Sequence, residues 1–116
     1  FDAIVLDAYF AQEIPKQLLS TAFFDLARSR LRARHALLLA NIILADDDDP
    51  SADRLIRMMR KTWRDVRLLD APGWRNRNAV IAAGSVRHLR KPRLLTAPSS
   101  GVRKIADGLK VLSFCR

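Results

Sequence analysis

Few residues in this 116-residue chain have side chains and neighbours suited to chemistry. Asp7 ends the apolar run FDAIVL. A carboxylate there can bind a cation or take a proton. Ligands of open α/β sheets gather beyond the carboxyl ends of strands. The plainer role for such a residue is to cap backbone amides where a loop starts. Asp46 to Asp49 form an acidic run ahead of Pro50. Four successive carboxylates cannot all converge on one ion, so they read as a helix start: Asp49 as cap, Pro50 at the first helical position, and the acids at the positive end of the helix dipole. No metal site is expected. His35 and His88 have no serine or cysteine nucleophile spaced to work with them, and read as a turn residue and a solvated residue. The single cysteine, Cys115, cannot form an internal disulfide and fits a reducing cytoplasm. The four glycines make no GxGxxG.

The elements that would position Asp7 follow from pattern. Phe1 to Leu6 reads as a strand buried on both faces. A loop of 12 to 15 residues containing Pro15 comes next, with one turn at Lys16 to Leu19. Loops of that length inside a compact domain are usually functional. Ser20 or Thr21 caps a helix running to about Arg32, with Phe23, Phe24, Leu26, Ala27 and Leu31 as its apolar stripe. ALLLANIIL, 36 to 44, is a second central strand. Its apolar run to Ala45 is about half the roughly 20 residues a membrane helix needs. A helix from Pro50 to about Trp63 buries Ala52, Leu55, Ile56, Met59 and Trp63. VRLLD and AVIAA then make two strands joined by a turn-rich connection, and Val102 to Val111 a short helix. Strands alternating with helices imply parallel pairing. The chain is therefore α/β, in the order β-α-β-α-β-β with a terminal antiparallel hairpin. Residues 1–90 form the domain and 91–116 a basic extension.

The formal charge of +9 is uneven. Residues 1–53 hold 5 basic and 9 acidic side chains, and residues 54–116 hold 16 and 3. A basic half can mark a surface for polyanions. Here the arginines are scattered and lack interleaved aromatics for base stacking, so no nucleic-acid partner is expected.

Three stretches carry a family likeness. FDAIVLDAYFAQEIPKQLLSTAFFDLARSRL, ALLLAN with Asn41, and DVRLLDAPGWRNRNAVIAAG with Asn78 resemble, in that order, the spermidine synthase family, over residues 1 to about 90. The resemblance implies the C-terminal half of a Rossmann-like methyltransferase fold, whose last strand inserts antiparallel. It implies a parent that transfers an aminopropyl group from decarboxylated S-adenosylmethionine to a polyamine, with Asp7 as the catalytic residue acting on the amine. Tyr9 and Gln12 would supply hydrogen bonds to the substrate. Phe10 stands where many members have a second Asp, which leaves open an S-adenosylmethionine-dependent methyltransferase of the same fold. A non-catalytic basic binding module is the third alternative. The glycine-rich loop and acidic strand end of the nucleoside-binding half are not in the chain, so no cofactor is expected on it. Phe1 already reads as part of a strand, which suggests a fragment. Its partners are then the small-molecule amine, the missing N-terminal half, and further copies of itself as a homo-oligomer.

Overall fold

The structure, a computed structural model, describes residues 1–9, 13–32 and 35–115. Strand β1 (Ala3–Leu6) leads through a one-turn 3-10 helix (Lys16–Leu19) into α1 (Thr21–Arg30). Strand β2 (Leu37–Leu44), helix α2 (Ser51–Met59) and strands β3 (Val66–Asp70) and β4 (Arg77–Gly84) follow. Helix α3 (Val102–Val111) and strand β5 (Ser113–Cys115) close the chain. One five-stranded sheet is ordered β1-β2-β4-β3-β5. β1 and β2 pair parallel, while β4 inserts antiparallel between β2 and β3. The mixed α/β sheet agrees with a partial Rossmann-like fold. The short helix expected at Val102 to Val111 is α3, and the order departs from the expected one by the added strand β5. The β3–β4 hairpin is accordingly not terminal, because β5 joins the outer side of β3. The stretch set apart as 91–116 thus returns to the sheet at its end.

Local chemistry explains the helix limits. The Ser20 hydroxyl accepts from the Phe23 N–H at 3.1 Å, satisfying an orphan donor of α1. α1 ends at Arg30, two residues short of the expected limit, because Leu31 turns extended and its N–H bonds the Arg28 carbonyl. α2 begins at Ser51, with Pro50 and not Asp49 at the cap position, one residue later than expected; Asp49 lies just before it, its carboxylate accepting from the N–H groups of Ser51 and Ala45, both at 2.9 Å. Those bonds hold its carboxyl below the ordinary range. α2 stops at Met59 rather than near Trp63, but the Trp63 N–H still reaches the Met59 carbonyl and its ring is buried.

The core lies on one side of the sheet. Leu38, Ala40, Ile42 and Leu44 of β2 share it with Ala79, Ile81 and Ala83 of β4, under Phe24 of α1 and Leu55, Ile56 and Met59 of α2. Phe24 meets Trp63 edge-on with ring centroids 5.8 Å apart. The other face carries no helix of comparable cover, and α3 has no buried residue. Val5 is 66% exposed and Ile43 43% exposed. This corrects the reading of β1 as buried on both faces: only Ile4 and Leu6 turn to the core. Part of the open face is covered by Arg67. Its guanidinium lies 4.0 Å from the Phe114 ring centroid and donates to the Val86 and Leu89 carbonyls. No helix among the described residues is long and apolar enough to cross a membrane.

The amino ends of the strands are closed at Gly84. Its φ is +106°, and a Cβ there would fall 2.4 Å from the Ala36 carbonyl oxygen. Neither backbone can move cheaply, since Ser85 donates to that same carbonyl. Gly84→Ala is expected to destabilise the fold by about 2 kcal/mol or more, measured as a lower urea midpoint with an unchanged slope.

Candidate functional site

Asp7 stands just past the carboxyl end of β1, exposed, on the face opposite α1 and α2. The β1–β2 register carries it to the level of Asn41. Asn41 sits between buried Ala40 and Ile42, so the alternation of β2 sends its side chain to the open face. Its amide nitrogen donates to Asp7 Oδ1 at 2.9 Å and to Asn78 Oδ1, from β4, at 3.3 Å. A carboxylate and two amides from three adjacent strands thus form one row. The carboxylate is exposed and held at one oxygen, a geometry suited to gripping a cation.

Tyr9 lies beside this row. Its hydroxyl donates to the Asn41 carbonyl at 2.8 Å, and the Ile43 backbone N–H donates to its oxygen. β1 stops pairing at Leu6, so the phenol takes up polar groups of β2 beyond that point. Burial, then the negative charge of Asp7, push the phenol above its ordinary pKa, and the Ile43 N–H partly offsets them. The hydroxyl proton is therefore committed to the backbone, which leaves the oxygen able only to accept from a ligand. Gln12 and Phe10 lie outside the described residues, as do Ala33 and Arg34 of the turn before β2.

On its other side Tyr9 joins Glu13 and Ile14 in walling a cleft of about 330 Å³ completed by Ile43 of β2 and Arg54 and Met58 of α2. Asp7 is not among the residues that line that cleft. The acidic run is occupied with loop folding. Asp47 pairs with Arg77 at 2.8 Å and accepts from the Gly73 N–H. Arg77, itself buried, holds Asp70 through two bonds of 2.7 and 2.8 Å and donates to the Trp74 carbonyl. Among the described residues no group of three or more His, Cys, Asp or Glu could hold a metal ion. His35 lies in a turn and His88 is exposed.

Sequence reasoning singled out Asp7 and Tyr9, and the structure brings both to Asn41. It noted Asn41 and Asn78 without giving them a role at the site. The available signal was the one polar residue interrupting ALLLANIIL.

No protein-family model matches the sequence, and no curated protein matches it. Among solved structures the chain is similar to a probable spermidine synthase from Corynebacterium glutamicum ATCC 13032, with a TM-score of 0.64 and 16% identity. The match covers 97% of this chain but 40% of that one. At that identity the likeness shows a shared fold, and the chain spans well under half the length of its neighbour.

Removing the phenol hydroxyl isolates its part in the site. Tyr9→Phe is expected to cost about 1 kcal/mol at neutral pH, from one lost hydrogen bond and an orphaned strand carbonyl. A raised phenol pKa contributes stability that is full below the unfolded value and is lost as pH rises through the folded one. The gap between wild type and Tyr9→Phe in urea melts should therefore hold from about pH 6 to 9 and narrow above about pH 10.

Proposed function

We propose that these residues are the carboxyl-terminal half of a spermidine-synthase-like α/β domain. The protein containing them transfers an aminopropyl group from decarboxylated S-adenosylmethionine to an amine, and Asp7 acts on that amine. The observation that carries the reading is the Asp7 carboxylate itself, at the carboxyl end of a parallel strand and oriented by Asn41 on the face opposite α1 and α2. The fold shared with a probable spermidine synthase supports the scaffold. The half-bare sheet supports the division of the domain. Val5 and Ile43 are exposed in an otherwise apolar setting that a further layer would cover.

The chemistry asked of Asp7 is modest and specific. An alkylammonium has no lone pair and at neutral pH is the dominant form of the amine. Asp7 binds it as a cation and accepts one proton as attack develops. The freed lone pair forms a bond to the methylene carbon beside the sulfonium. The carbon–sulfur bond breaks, the sulfur keeps the electron pair as a thioether, and the product leaves as a secondary ammonium. Asn41 keeps the carboxylate in place through this sequence, while Tyr9 fixes the backbone that carries Asn41. The unpaired Cys115 fits a reducing, cytoplasmic setting.

Two measurements test the reading. In the intact protein, Asp7→Asn should lower kcat/KM for aminopropyl transfer by roughly 10²- to 10⁴-fold. Full retention of activity would remove Asp7 from the chemistry. Residues 1–116 expressed alone should form homo-oligomers or aggregates through the open face, as judged by analytical ultracentrifugation. A monodisperse monomer that unfolds cooperatively would contradict the half-domain.

A further inference from the structure

After β4 the chain makes one long excursion from the sheet, and its two feet stand together. Arg67 of β3 donates to the Leu89 carbonyl at 3.3 Å, and its guanidinium lies 4.0 Å from the Phe114 ring centroid. Everything between Leu89 and Phe114 is thus a loop pinned at one side chain of β3. Of the residues from Arg87 to Cys115, all described, none is buried. The stretch 87–110 holds seven Lys and Arg against a single acid, Asp107. Arg87 pairs with Asp65 at 3.1 Å and Lys110 with Asp107 at 2.9 Å. The other five, Arg90, Lys91, Arg93, Arg103 and Lys104, are exposed. Apolar side chains stand among them. Leu95 is 85% exposed, more than any other large apolar side chain among the described residues, and Leu94 is 38% exposed. In α3, Val102, Ile105 and Leu109 recur at helical spacing as one stripe, with Arg103, Lys104 and Lys110 off it. Val102 and Ile105 are each 41% exposed, so packing on the sheet does not use that stripe up.

We infer that this excursion, residues 90–111, docks on the surface of an anionic lipid bilayer. Its cations meet the headgroup phosphates, while Leu94, Leu95 and the stripe of α3 enter the boundary of the acyl chains. Clustered Lys and Arg are drawn to anionic headgroups. An amphipathic helix with a basic polar face lies in that interface with its apolar side turned inward. The pairing of the two features decides the partner. A nucleic acid would answer the cations, but it leaves the two leucines in water. No Phe, Tyr or Trp lies between Arg87 and Ser113 to stack on a base. A second copy of the chain would set like charges against each other. None of these residues belongs to the row at Asp7, so the inference stands or falls apart from the transferase reading.

The test is co-sedimentation of the intact protein with two kinds of vesicle, phosphatidylcholine alone and phosphatidylcholine mixed equally with phosphatidylglycerol. Binding to the mixed vesicles should be tighter by about 10-fold or more, and should weaken as salt is raised. Replacing both leucines, Leu94→Ser with Leu95→Ser, should weaken that binding by about 10-fold. Both side chains are exposed, so this variant should keep the wild-type urea midpoint. Replacing Arg90, Lys91 and Arg93 together by Gln should remove the preference for the anionic vesicles. A single-stranded RNA of mixed sequence is offered in a parallel titration. Equal binding to both kinds of vesicle, or to neither, overturns the inference. So does a leucine variant that binds as tightly as the wild type, or an RNA that binds the protein where the mixed vesicles do not.

Discussion

Strand β2 is the member on which everything else is hung. It pairs parallel with β1 on one side and antiparallel with β4 on the other, so its register sets both neighbours. Its side chains alternate without exception: four pack under α1 and α2, and the other four face the opposite way. A slip of one residue would drive Asn41 beneath Phe24 and Met59 and expose four core residues in exchange. Burial of an amide without partners there would cost several times what any single surface contact returns. The same constraint that builds the core therefore delivers one amide to the outer face, level with Asp7. The candidate site is a by-product of strand register, and needs no special loop to hold it.

Much of this arrangement was written plainly in the chain. The strand and helix starts were legible because they depend on local chemistry: Ser20 before α1, Asp49 and Pro50 before α2, and the heptad-like spacing of Leu55, Ile56 and Met59. Asp7 could be singled out because it ends an apolar run. Burial on both faces of β1 follows from its continuous apolar run, but only one layer of helices meets the sheet here, so its outward side chains stay exposed and those of β2 half-buried or exposed. Strand β5 was not legible at all. SFC is too short to show a period, and its place beside β3 is set by Phe114 packing on Arg67, a contact between residues far apart in sequence. The row through Asn41 to Asn78 was hidden for the same reason, since it depends on which strands are neighbours.

Charge follows a related logic. The acidic run reads from the sequence as a helix start, and its members also hold the connection between strands. Asp47, Asp70 and Arg77 lock the hairpin turn onto the loop before α2. Two carboxylates around one buried guanidinium need that guanidinium to remain in place, and losing it would leave buried charge uncompensated. Asp7 contrasts with them. It is exposed, bonded by a neutral amide instead of an arginine, and so keeps most of its charge for whatever approaches from the open face.

Tyr9 is the only tyrosine in the chain. Within these 116 residues, any ultraviolet signal of phenol ionisation comes from this one ring. Part of what resists that ionisation is the negative charge on Asp7. A cation settling on Asp7 would cancel that contribution and let the phenol ionise more readily, so the ring would register occupancy of the carboxylate beside it. The protein thus carries an intrinsic optical gauge of its candidate site, built from the same hydroxyl that finishes the backbone of β2.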